Sequence, residues 1–299
     1  MFMISSAEVN DTTLTSTNLT ETDELVWDDG TSYNAGDRVM ILSTHSIYES
    51  KTSNTNVDPT TDTDEVNWFR VGATNRYKAF DRYLSDQAEN ADEITYQINP
   101  GSLVDIVSVY GLSAQEINLT VTSAAAIEVY NETKGGFDGS VYVDHYSYWF
   151  GQATSFTEVT FGNIPPYTDA SYFITITNTG DTAKVGQIDL GVREAIGKAT
   201  TGTEPTFEDF SRIERDTFGR FNIIERDYAQ GATYQVAIDP YDVNRVLKLI
   251  AGRRATPTTF FVSDDNFVMG TQVYGIPEAV RFPLRFGATI YTLTVRGLT

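Results

Sequence analysis

Cysteine is absent from the 299 residues, which excludes disulfides, thiolate metal sites and cysteine nucleophiles. A fold without staples suits synthesis in a reducing cytosol. Histidine is nearly absent. The two present, His45 and His145, lie in different segments and show no His-x-x-x-His or acid-rich metal spacing. Each reads as a surface or strand residue, and no metal or cofactor is expected. Positive charge is scarce: 21 Lys and Arg against 41 Asp and Glu leave a formal net charge of −20. That sign disfavours nucleic acid and anionic membranes as partners. It suits a soluble assembly component or a salty environment. No apolar run approaches the ~18 residues of a membrane span, so no membrane insertion is expected. Residues 1–6 carry neither a positive start nor a long apolar run, which predicts no signal peptide.

Signatures of catalysis are missing as well. There is no Gly-x-Ser-x-Gly elbow and no Gly-x-x-x-x-Gly-Lys loop. Asp138, Asp144, Asp264 and Asp265 offer the carboxylates a glycosidase needs, but each stands in a turn context where Asp is structurally expected. Asp264-Asp265-Asn266 fits no calcium-loop template and reads as a hairpin turn. The chain is therefore not expected to be an enzyme.

What is present favours β structure. Tyr and Phe number 17 each against 3 Trp, and Thr and Val are abundant. The expected fold class is mainly β and multi-domain. Residues 1–25, rich in Thr, Ser, Asn and Glu, read as an extended N-terminal arm packed on its neighbours. Residues 26–72 read as a small three-stranded module. Residues 73–195 read as a β-sandwich of short, regularly spaced strands. Its strands are expected at 94–98, 103–110, 117–121, 141–143, 146–150, 155–161, 172–177 and 185–191, with 103–110 buried on both faces. Residues 196–299 read as an α+β domain. Phe218-Gly219-Arg220-Phe221 looks like a hairpin turn within it. The one clear helix starts at Asp239 as N-cap and Pro240 as first helical residue. Val243, Val246, Leu247 and Ile250 form its apolar stripe, and Gly252 suits its end.

The small module carries the most specific pattern: Trp27, Gly30, Tyr33, Gly36-Asp37, Val39, Tyr48, Pro59 and Trp68. This resembles the frame of small chitin- and cellulose-binding carbohydrate-binding modules. The resemblance implies sugar binding by Trp27, Tyr33, Tyr48 and Trp68, since flat aromatics match the apolar faces of sugar rings. The residues also allow a plainer reading. A disulfide-free unit of this size has little else to bury, so Trp27 and Trp68 read first as core. Tyr33 and Tyr48 are the better candidates for an exposed platform.

Residues 73–195 resemble a galactose-binding-like jelly roll of discoidin type in the 104–112 strand, the pair leading to 172–176 and the closing 184–191 strand. The three-part order resembles a family of tailed-bacteriophage and prophage virion proteins, described as carbohydrate-binding tail or baseplate proteins. The pieces that carry it are the Trp/Tyr/Gly-Asp module, 74–81 opening the jelly roll, and 209–212, 216–219 and 254–257 in the last domain. The resemblance implies a structural tail protein in the virion, made in the host cytoplasm. Its expected partners are other tail or baseplate proteins, further copies of itself and host-surface polysaccharide. The C-terminal domain would dock into the tail and the upstream modules would face outward. The alternatives are a purely structural tail part without sugar binding, a polysaccharide-active enzyme and a secreted lectin.

Overall fold

The computed structural model describes residues 1–135, 145–150, 156–215, 217–263, 271–278, 280–283 and 289–298, with backbone alone at 147, 148 and 150. Asp138, Asp144, Asp264 and Asp265, and the strand expected at 141–143, lie outside the described residues.

The chain is mainly β, as its composition predicts. Two sheets enclose the largest core. One has the strand order Glu128–Gly135, Glu116–Thr122, Ser171–Val185, Ala88–Ile98, Leu14–Thr17. Its inward residues alternate along each strand, as at Ile117, Leu119 and Val121, or Ile94, Tyr96 and Ile98. The other sheet begins Glu158–Phe161, Ile106–Tyr110, Gln187–Ala195. Val107, Val109, Phe161 and Leu190 from this sheet complete the same core.

The strand expected at 103–110 forms as Ile106–Tyr110, which is buried along its whole length, while Leu103 lies outside it and is exposed. Val107 and Val109 face the sandwich core. Ile106 packs with Ile4 and Phe261. The intervening Ser108 and Tyr110 enter a buried polar seam. Ser108 and Thr160 share a 2.9 Å hydrogen bond, and the Tyr110 hydroxyl donates to Thr259 Oγ1 at 3.1 Å. Gln272 Nε2 donates to the Tyr110 hydroxyl and to Thr160. The seam exists because the sheet does not stop at the sandwich. It continues through Phe2–Ser6, Thr258–Phe261, Val273–Pro277, Thr289–Gly297 and Tyr228–Ile238.

Phe2–Ser6 is therefore an internal strand. It pairs antiparallel with Gln187–Ala195 on one side and Thr258–Phe261 on the other. Met1 and Met3 fill the C-terminal core beside Tyr234, Val246 and Tyr291. Leu14–Thr17 joins the edge of the five-stranded sheet.

The predicted helix is present as Val243–Gly252, preceded by a 3-10 turn at Pro240–Asp242. The Asp239 carboxylate caps that turn by accepting from Tyr241 N at 2.9 Å. Val246 and Ile250 are buried and Val243 is half-buried, but Leu247 is exposed. The strand expected at 146–150 is a short helix, His145–Phe150. Aromatic β propensity reflects fit to a pleated, half-buried surface. Tyr146 and Trp149 are exposed.

Candidate functional site

The small module is built from Arg38–Ile41, Ser46–Ser50 and Trp68–Ala73, with a side pair Ser32–Tyr33 and Asn54–Thr55. Gly36 sits at φ +92°, which an L side chain adopts only with strain. The turn closes when Asp37 accepts from Asn34 N at 2.7 Å and Gly36 N reaches Ser50 O at 2.7 Å. Asp62 organises the other end. Its carboxylate accepts from the backbone N–H groups of Asn67 and Trp68, at 2.6 and 2.8 Å. Those bonds hold its pKa below the usual carboxylate value, Trp68 N–H contributing most.

The four expected sugar-binding residues divide by burial. Trp68 is 1% exposed, and its indole N–H donates to Val57 O at 2.9 Å. Tyr33 is 9% exposed and packs edge-on against Trp68 with centroids 5.2 Å apart. Its hydroxyl accepts from Asp28 N at 2.8 Å. Tyr33 is therefore a core residue with a satisfied hydroxyl, which corrects the expectation of an exposed platform there. The cause is size: without Tyr33 the cluster around Trp68 would keep Val39 as its one other buried member. Trp27 and Tyr48 are half-buried and pack against the same three residues. Trp27 Nε1 is buried, yet the protein offers it no acceptor.

His45 is expected to be a surface or strand residue. Instead it clasps three segments. It lies in the left-handed region at φ 47°, in the turn before Ser46–Ser50. Nδ1 meets Glu21 Oε1 at 2.6 Å and Nε2 meets Asp11 Oδ1 at 2.8 Å. The ring stacks on Tyr77 at 4.1 Å, and the Tyr77 hydroxyl donates to the same Asp11 oxygen. The Tyr77 hydroxyl, and next to it His45, lower the Asp11 pKa. The reverse effect raises Tyr77, with burial the larger cause. Nothing in the Thr-rich context of Asp11 and Glu21 marks them as partners of residue 45. His145 opens the short helix and is exposed.

A second concave region lies where the sandwich meets the C-terminal sheet. This cleft, of about 490 Å³, is lined by Gln87, Glu158, Asp227, Tyr228 and Gln272 among others. Burial raises Glu158 to about 7. The sequence holds no signal for this cleft, since its lining comes from six separate stretches.

No known protein family matches the sequence, and no curated protein matches it. Among solved structures the chain is similar to the lectin domain of lectinolysin complexed with Lewis b antigen, at TM-score 0.26 and 11% identity over 37% of this chain and 73% of that one. It is similar to a Streptococcus pneumoniae fucose-binding module, at TM-score 0.29 and 5% identity over 40% and 86%. It is also similar to chitosan-binding module 1 of a chitosanase/glucanase from Paenibacillus sp. IK-5, at TM-score 0.27 and 14% identity over 41% and 86%. Similarity at this level assigns no function to the chain.

Proposed function

We propose that this chain is a non-catalytic structural protein of a bacteriophage tail or baseplate that presents β modules for host-surface attachment through carbohydrate. The observation that carries the sugar reading is Trp27. It is a half-buried indole on the module core with an N–H that no protein atom satisfies. The exposed part of its ring offers a flat apolar surface that can cover the C–H groups of a sugar. Tyr48 packs on the same core and remains partly exposed. The binding residues in this reading are Trp27 and Tyr48, with Tyr33 and Trp68 supporting them from beneath. The tail reading rests on the three-part sequence resemblance, and the absence of cysteine and the −20 charge are compatible with it. In an assembly of many copies, weak single contacts gain avidity of roughly 10² to 10⁴.

The test has two parts. The full chain is assayed for retention on chitin, cellulose and host-surface polysaccharide, with Trp27→Ala and Tyr48→Ala beside it. We expect retention to fall about tenfold or more in each variant, at unchanged far-UV circular dichroism. Equal retention of both variants removes the sugar site from this module. Immunogold labelling with an antibody to residues 26–195 then places the chain on particles, and gold at a tail tip or baseplate is expected. Absence of the protein from particles ends the virion reading.

A purely structural reading is favoured by one specific observation: Tyr33 and Trp68 are core residues whose polar atoms are already satisfied. Labelling separates the two, because particles in which the module is buried contain the protein but bind no antibody.

A further inference from the structure

The cleft between the sandwich and the C-terminal sheet has a fixed polar floor. Thr259 Oγ1 donates to Asp189, and the Tyr110 hydroxyl donates to Thr259 Oγ1. The Tyr110 oxygen can then only accept, and Gln272 Nε2 donates to it at 2.7 Å. The second Nε2 hydrogen goes to Thr160 Oγ1 at 2.6 Å. Gln272 is 6% exposed, and this order of donors fixes its amide, leaving Oε1 to accept. Among the described residues, nothing donates to that oxygen.

Glu158 stands on the same floor. It lies opposite Tyr110 in the strand pair, so the two side chains share a face, while Val159 beside it enters the sandwich core. Burial alone raises its carboxyl to about 7, and among the described residues no hydrogen bond and no cation offsets that burial. Gln87, also in the lining, gives Nε2 to Gly111 O at 2.7 Å and keeps Oε1 as an acceptor. Neither lysine nor arginine is among the described residues that line the cleft. Acceptors sheltered from water without a donor are costly, so a ligand that brings donors gains most here. An anion brings like charge to Glu158 instead.

The cleft adjoins a second concavity of about 580 Å³, and the two share Tyr228 and Gln230. Where Glu204–Asp209 pairs with Tyr228–Ile238, Phe207 lies opposite Gln230 and Asp209 opposite Tyr228. These four side chains share one face of the pair. Phe207 and Tyr228 are 75% and 64% exposed, so two aromatic surfaces continue the row of acceptors. Each concavity has the size of a ligand site, which is roughly 300–1,000 Å³. Hydroxyl donors beside apolar C–H faces are the surface of a sugar ring, and two adjoining concavities hold more than one ring.

We propose that this groove, from Glu158 to Phe207, binds a neutral saccharide chain. Glu158, Gln87 and Gln272 accept from its hydroxyls, and Tyr228 and Phe207 cover its C–H faces. The groove lies outside the 26–72 module and needs no sugar binding there.

Isothermal titration calorimetry on the full chain at pH 8 tests this. The Trp27→Ala/Tyr48→Ala protein serves as background, so that the module contributes nothing. The probes are neutral hexasaccharides of glucose, galactose, mannose and N-acetylglucosamine, with a glucosamine hexamer as the cationic control. At least one neutral hexamer is expected to bind. Glu158→Gln keeps the shape of the side chain and removes its charge, and it should raise the Kd about tenfold. Tyr228→Ala should raise it about tenfold at unchanged Tm, since that ring is exposed. Absence of binding by every neutral hexamer overturns the proposal. So does binding that both variants leave unchanged. Binding of the glucosamine hexamer alone would mark a cation site and overturns it as well. Failure of the module's own retention test leaves these outcomes untouched.

Discussion

Glu158 sits where its charge is poorly solvated, and burial raises it to about 7 against an ordinary 4.5. Asp81 follows the same direction, raised to about 6 chiefly by burial. A raised carboxyl binds its proton more tightly in the folded state. Its stabilising effect is complete below the unfolded pKa and is lost as pH climbs through the folded value. Both groups therefore lower stability between about pH 4 and 7. Glu158→Gln should remove that loss. We expect it to stabilise the protein at pH 8, by no more than about 3 kcal/mol, and to leave pH 4.5 nearly unchanged. Urea denaturation at both pH values reads this. Equal curves for the two proteins at pH 8 would mean that Glu158 is well solvated. Little of this was visible in the sequence. Glu158 stands in a polar context, and its burial comes from strands far along the chain.

The elements were more legible. The turn at Gly36 and the cap at Asp239 follow from φ preference and capping chemistry that act within a few residues, whereas Gly252 is the last helical residue and Arg253 the cap. Alternation at 117–121 and 172–177 follows from the period of a strand. The module at 26–72 is the sharpest case. Its Trp/Tyr/Gly-Asp frame was readable, but which aromatic faces outward was not. Trp68 donates to Val57 and meets Tyr33 edge-on, which makes it the centre of a very small core. Trp68→Ala should cost about 3–5 kcal/mol, more than so small a unit can lose. Hydrogen exchange is expected to show protection lost across Arg38–Ile41 and Ser46–Ser50. The Glu116–Thr122 and Ser171–Val185 strands should stay protected. Uniform loss throughout would show the module and sandwich to be one cooperative unit.

The whole molecule is held together by its first residues. Phe2–Ser6 lies between a sandwich strand and Thr258–Phe261, and Thr258 Oγ1 donates to Ile4 O at 2.6 Å. Asp189, fully buried, accepts from Thr259 N and Thr259 Oγ1 at 3.0 and 2.6 Å, a second tie across the same seam. Deleting residues 1–6 removes an internal strand and uncovers two rows of ladder groups. We expect a chain that no longer unfolds in one transition and that aggregates through the opened edges. Size-exclusion profiles and thermal melts check this. A soluble deletion variant with the parent melt would make the strand dispensable.

By itself the sequence determined the β character, the absence of cysteine chemistry, the C-terminal helix and the turns of the small module. Composition, periodicity and φ preference are local properties, so they can be read without knowing the fold. Only the tertiary structure decided where residues 1–6 go, which aromatics of the module are core, that His45 joins Asp11 to Glu21, and that the hairpin of Arg212–Arg215 and Phe221–Ile224 is exposed. Those outcomes depend on which of many compatible strands pair across as many as 250 or so residues. That choice is made by burial and register over the whole chain.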